Sequence, residues 1–176
     1  MIEFYGGEMN IMINDPFKKR YPLAKSEYLK AVGTLLPHRI GQILQNLGYT
    51  AHIESIHSNG VDLKVSSNED LFLVAEILNW SPYTELNYKR RSCIQRNLCK
   101  YNCYKVLIYT SMKNSEILEP LLDEGIILLC LDNQILPKVF HEFYQQRNQV
   151  ENRTVDCKEN IEHVRRKIIS CLSSFE

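Results

Sequence analysis

The clearest pattern in the chain lies between Gly60 and Trp80, in the stretch GVDLKVSSNEDLFLVAEILNW. Val61 to Ser66 and Leu71 to Trp80 alternate with period two, and polar Ser67, Asn68 and Asp70 interrupt the run, which predicts a hairpin. Val61, Leu63 and Val65 fall on one face of the first strand, and Asp62, Lys64 and Ser66 fall on the other. On the second strand Leu71, Leu73, Ala75 and Ile77 oppose Phe72, Val74, Glu76 and Leu78. A turn near Ser67 to Asp70 sets Asp62 opposite Val74 or Glu76, within one or two cross-strand places. Two carboxylates then meet on one face of a sheet, with Glu76 between apolar neighbours. A buried carboxylate is expensive unless it is paired or bound to metal.

The same periodicities place the remaining elements. Ser26, Leu29, Val32 and Leu36 predict a short helix that ends before Pro37. Pro37 then opens a second helix carrying Ile40, Ile43, Leu44 and Leu47, and Gly48 closes it. Thr50 to His57 reads as a strand, and Asn59-Gly60 as a turn into the hairpin. Beyond Ser81-Pro82 a helix is expected from about Glu85 to Tyr101, with Ile94, Leu98 and Tyr101 inward. Lys89, Cys93, Arg96 and Lys100 occupy another of its faces. Val106 to Tyr109 is a short strand, Glu116 to Glu124 a helix stopped by Gly125, and Ile126 to Leu131 a strand covered on both faces. A helix over Pro137 to Gln146 and a polar linker at Asn148 to Thr154 follow. Asp156 with Glu159 then forms a capping box for a last helix, whose stripe is Ile161, Val164, Ile168, Leu172 and Phe175. That stripe docks on its own core or forms a dimer contact. In the first 25 residues only Met9 to Ile13 reads as a strand.

Composition narrows the class. The chain has 176 residues, 44% of them hydrophobic and 24% charged, which suits one α/β domain with its own core. It contains no apolar run long enough to span a membrane, and Glu3 and Glu8 interrupt the N-terminus where a signal peptide would be apolar, so a cytoplasmic protein is expected. Its six cysteines form no CxxC pair and read as reduced thiols. The five histidines show no HxH or HExxH spacing, which argues against zinc. Formal net charge is zero, but no acid stands between Glu85 and Glu116, where seven basic residues do. A local basic stripe beside the carboxylate hairpin suggests phosphate; a solvated helix face is the plainer account.

Helix, three antiparallel strands, helix, strand, helix, strand, with Asp62 on the second strand and Glu76 on the third, resembles the PD-(D/E)XK nuclease superfamily. Archaeal Holliday-junction resolvases and many restriction endonucleases belong to it, and the resemblance covers about Pro37 to Leu131. It implies an α/β restriction-endonuclease-like core, a mixed β-sheet flanked by helices in the order αβββαβαβ. Residues 37–147 would form that core, 1–36 an N-terminal extension with a short helix, and 148–176 a linker with an extra C-terminal helix. The resemblance further implies Asp62 and Glu76 as ligands of Mg²⁺ or Mn²⁺ and metal-dependent hydrolysis of phosphodiester bonds in DNA. The family lysine falls two residues after the Glu, where this chain has Leu78. Lys64 is the expected substitute as third catalytic residue, with Lys89 a second candidate. A structural Lys64–Glu76 ion pair is a rival account of the buried charge. Lys89, Arg90, Arg91 and Arg96 would hold backbone phosphates, with Gln95 in a supporting role. The alternative function is a nuclease-fold module that has lost catalysis and binds nucleic acid or a protein partner. A homodimer is expected by analogy, because related nucleases cut two strands.

Overall fold

The computed structural model describes residues 2–5, 8–11, 25–54, 60–80, 82–135 and 161–175, with side chains from residue 33 onward. The expected helix over 137–146, the linker and capping box over 148–160, and the turn at Asn59 lie outside them. Strands β1 (Ile2–Tyr5) and β2 (Glu8–Ile11) form a separate antiparallel pair. The rest builds on a five-stranded mixed sheet in the order β3 (Thr50–Ile53), β4 (Leu63–Ser67), β5 (Asp70–Leu78), β6 (Tyr104–Tyr109), β7 (Ile126–Cys130). The first three strands are antiparallel neighbours, and β5, β6 and β7 run parallel. The class is α/β, a mixed sheet flanked by helices.

Helices cover both faces of the sheet. Helix α1 (Lys25–Asn46) and the last helix, α3 (Ile161–Ser173), lie on one face, where Leu36, Ile40, Leu44, Val164 and Ile168 pack against Leu63, Leu73, Ala75 and Val106. Helix α2 (Tyr88–Leu98) and a 3₁₀ helix (Ser115–Glu124) cover the other, where Ile94, Leu98, Leu118 and Leu121 meet Val74, Leu78 and Leu107. Strands β5 and β6 are buried on both faces, which explains the near-continuous apolar runs.

Several local expectations are corrected. The helix does not break at Pro37: α1 runs through it from Lys25 to Asn46. Pro37 cannot bond back to Gly33, but Gly33 is exposed, so its carbonyl is open to water, and buried Leu36 and Ile40 hold the turns on either side. Helix α2 starts at Tyr88 rather than Glu85, where the Asn87 side chain accepts from the Arg90 N–H at 2.8 Å. The element before Gly125 is 3₁₀ rather than α, with Pro120 inside it, and Gly125 ends it in the left-handed region at φ 71°.

The hairpin turn is tight. Ser67 pairs with Asp70, and Asn68 and Glu69 between them both take positive φ, 50° and 71°, the two-residue geometry that matches strand twist. The register slips between Val65 and Ser66, leaving Phe72 as the extra residue of a bulge. Val61 departs from the expected alternation: it precedes β4 and packs with Leu78 and Leu86 on the α2 side, whereas Leu63 and Val65 face α1. The strand begins only at Leu63, so the two-residue period does not extend back to it.

Candidate carboxylate site

Asp62 lies one place before the Leu63–Ala75 pair of the β4–β5 ladder, which brings it beside Glu76. Its N–H donates to Ala75 O at 3.0 Å and its carbonyl accepts from Glu54 N at 2.9 Å. The Asp62 carboxylate reaches across and accepts from the Ile77 N–H through Oδ2 at 2.7 Å. One carboxylate oxygen thus closes the ladder where the backbone of β4 turns away, fixing the side chain in place.

Glu76 sits on the neighbouring strand at 1% exposure, on the face that α2 covers. Asn97 Nδ2 donates to its Oε1 at 2.8 Å, and Arg90 Nη2 lies 3.6 Å from its Oε2. The Glu76 and Asp62 carboxyls interact directly with one another. Burial, then the charge of Asp62, push the Glu76 pKa up to about 7, against the opposing pull of Asn97 and Arg90. Asp62 is also raised, by burial, although the Ile77 N–H, Glu76 and Arg90 all oppose the rise. The two carboxyls titrate as a pair, and near neutrality one proton between them relieves a buried like-charge contact.

The structure brings Asp62 and Glu76 together; it does not bring Lys64 to them. Lys64 pairs with His52 and Val74 in the sheet, and its ammonium bridges Glu54 at 3.0 Å beneath the Tyr101 ring, 5.6 Å from the centroid. The rival Lys64–Glu76 pair is therefore replaced by Lys64–Glu54 and Arg90–Glu76. Leu78 is buried with Leu86, Ile94 and Leu98 under α2.

Of the five polar residues expected on α2, Arg90 alone meets the carboxylates among the described contacts. Lys89 and Arg96 are exposed, with Arg96 Nη2 against Cys93 Sγ at 3.2 Å. Arg91 lies over the Tyr88 ring and donates to Ile117 O at 3.5 Å, turned toward the 3₁₀ helix. Gln95 is half-buried, and its carbonyl caps the helix by accepting from Cys99 N.

Asn97 is the residue that sequence reasoning missed. Its signal was present: Ile94 and Leu98 fix the inward face of α2, and positions 90 and 97 fall two turns apart along that side. Asn79 serves a different purpose, as expected of the opposite strand face. Its amide donates to Ile135 O at 2.6 Å and accepts from Ile135 N at 2.8 Å, tying the end of β5 to the segment after β7.

As a donor set the pair suits a hard divalent cation: one carboxylate on β5 and one on the residue that leads into β4, with more negative charge than the burial of Glu76 tolerates. Among the described residues no third His, Cys, Asp or Glu joins them in a cluster, so water or backbone oxygen would complete a coordination shell, as is usual for Mg²⁺.

No family model matches the chain, and no match is found among curated proteins. Among solved structures, the chain has a partial likeness to the crystal structure of AF1548, a protein of unknown function, at 16% identity and a TM-score of 0.41. The likeness covers 54% of this chain and 56% of AF1548, so the chain spans about half the length of that protein. No helix of the described residues is long and apolar enough to cross a membrane.

Proposed function

We propose that the chain is a metal-dependent nuclease with a restriction-endonuclease-like core, hydrolysing phosphodiester bonds in DNA. The observation that carries this reading is the Asp62–Glu76 pair, buried Glu76 on β5 beside half-buried Asp62 just before β4, held by Ile77 N–H on one side and Asn97 on the other. When bound, Mg²⁺ or Mn²⁺ would supply Lewis acidity toward water and the scissile phosphate. The chain's own part is to hold the two carboxylates at fixed positions and to present cations to the substrate.

The first turn of α2 supports the second role. It carries Lys89, Arg90 and Arg91 and no acid, although the helix dipole disfavours cations there. Such a charged N-terminus suits an anionic partner, and DNA phosphate is the anion that a carboxylate–metal site would act on.

The test is calorimetric titration of Mn²⁺ and Mg²⁺ into the metal-free protein, wild type beside Glu76→Gln, followed by incubation with branched, duplex and single-stranded DNA. Micromolar-to-millimolar Mn²⁺ binding that the variant loses, together with cleavage, is the expected result. Absence of binding in the wild type, even with DNA present, would end this reading.

One observation favours a second reading, a module of the same fold without catalysis. Leu78 occupies the usual lysine place and is 2% exposed in the apolar core, so β5 offers the site no cation. Such a module would bind DNA or a protein with unchanged affinity when Glu76 becomes Gln.

A further inference from the structure

We infer that Arg90 is an exchangeable counterion: it rests on Glu76 in the cation-free protein and turns to the substrate phosphate when a divalent cation takes its place. The inference rests on the nuclease reading above and adds the group that reading lacks.

The contact is built to be released. The carboxylate side is 2% exposed and gripped by Asn97 at 2.8 Å, whereas the Arg90 side chain is 42% exposed and meets it through one nitrogen at 3.6 Å. That separation is beyond ordinary hydrogen-bond length, and the contact is single rather than the two-pronged fit that makes Arg–carboxylate pairs strong. Arg90 is at the same time anchored at its backbone, through the Asn87 cap at 2.8 Å. The guanidinium can therefore swing while the helix stays.

Three other cations nearby are held elsewhere. Arg91 lies between the Tyr88 ring and Ile117 O, Arg96 lies against Cys93, and Lys64 is bridged to Glu54. Arg90 is also the cation whose field reaches both carboxylates. A divalent ion between those carboxylates repels a guanidinium about 6 Å away by roughly a factor of ten in binding, even at the dielectric constant of water. Displacement puts an arginine fork at the rim of the site, where phosphate oxygens would lie.

The experiment is calorimetric titration of Mn²⁺ into the full chain, comparing wild type with Arg90→Gln, Arg90→Lys and Arg96→Gln. Arg90→Gln should bind Mn²⁺ about fivefold or more tightly than wild type, whereas Arg90→Lys and Arg96→Gln should stay within about threefold, since both keep the charge beside Glu76. A second readout is fluorescence anisotropy of a labelled DNA duplex on the Mn²⁺-loaded Glu76-intact proteins at low temperature. There Arg90→Gln should bind the duplex several-fold more weakly, despite its tighter metal. Mn²⁺ binding in Arg90→Gln equal to or weaker than wild type overturns the inference while leaving the nuclease reading standing. Absence of Mn²⁺ binding in all four proteins overturns both. Binding by Arg90→Gln alone, with wild type binding Mn²⁺ once duplex DNA is added, supports the inference, the guanidinium then blocking the site until phosphate draws it away.

Discussion

Replacing Glu76 by Gln should stabilise the metal-free protein above neutral pH and do little at pH 5. The sign follows from the direction of the shift. The Glu76 carboxyl moves from 4.5 to about 7 on folding, so the folded chain holds this proton more tightly than the unfolded chain. Between those two values unfolding releases a proton, and stability falls as pH rises; below 4.5 the penalty is absent, and above about 7 it is complete. The full penalty is about 3 kcal/mol, of which about 2 kcal/mol develops between pH 5 and pH 8. Gln keeps an acceptor for Asn97 and carries no charge beside Asp62, so it escapes the penalty at every pH. It forgoes the Arg90 contact, which is half-exposed and worth little. Urea denaturation of both proteins in metal-free buffer at pH 5, 6, 7 and 8 measures the difference directly. The stability gap should widen in favour of Gln as pH rises. A gap that stays constant from pH 5 to pH 8 would refute the account of Glu76 as a buried carboxyl that keeps its proton up to about neutral pH.

Three further outcomes follow from the contacts around the site. Asn97→Ala removes the amide that opposes the rise in Glu76, so the Glu76 carboxyl should titrate higher by carbon-detected NMR, with a stability cost of about 1–3 kcal/mol. Asn79→Ala breaks two buried hydrogen bonds to Ile135 and should cost about 2–4 kcal/mol by denaturation, with Mn²⁺ affinity within about twofold of wild type. Ile168→Ala tests the docking of α3. At 4% exposure in the main core cluster, truncation should cost about 2–5 kcal/mol in the same assay, and a loss below about 1 kcal/mol would show that α3 does not pack there in solution.

The arrangement of the two carboxylates was legible because strand period and turn length fix cross-strand neighbours locally. Ser67 to Asp70 could only close a short hairpin, and a short hairpin puts Asp62 near Glu76. The buried setting of Glu76 was equally readable from FLVAEILNW. The bulge at Phe72 was not, because one unpaired residue hardly disturbs an apolar run that is buried on both faces. The continuity of α1 through Pro37 was missed for a related reason. Local propensity marks a break there, and only the burial of Leu36 and Ile40 against one sheet shows that both halves are a single helix.

The identity of the cations around the pair lay further from reach. Lys64 was expected beside the carboxylates as the substitute for the family lysine, with a Lys64–Glu76 ion pair as the rival account; Glu54, just after β3, takes its ammonium instead. Arg90 and Asn97 come from a helix that crosses the sheet after an intervening loop, at a rotation set by Ile94 and Leu98 sinking into the core. By itself the sequence determined the α/β class, the hairpin and the acidic pair, since each depends on neighbours a few residues apart. Only the tertiary structure decided which charges meet that pair. Those meetings depend on how α2 is rotated over β5, a choice that apolar packing makes far along the chain from Asp62.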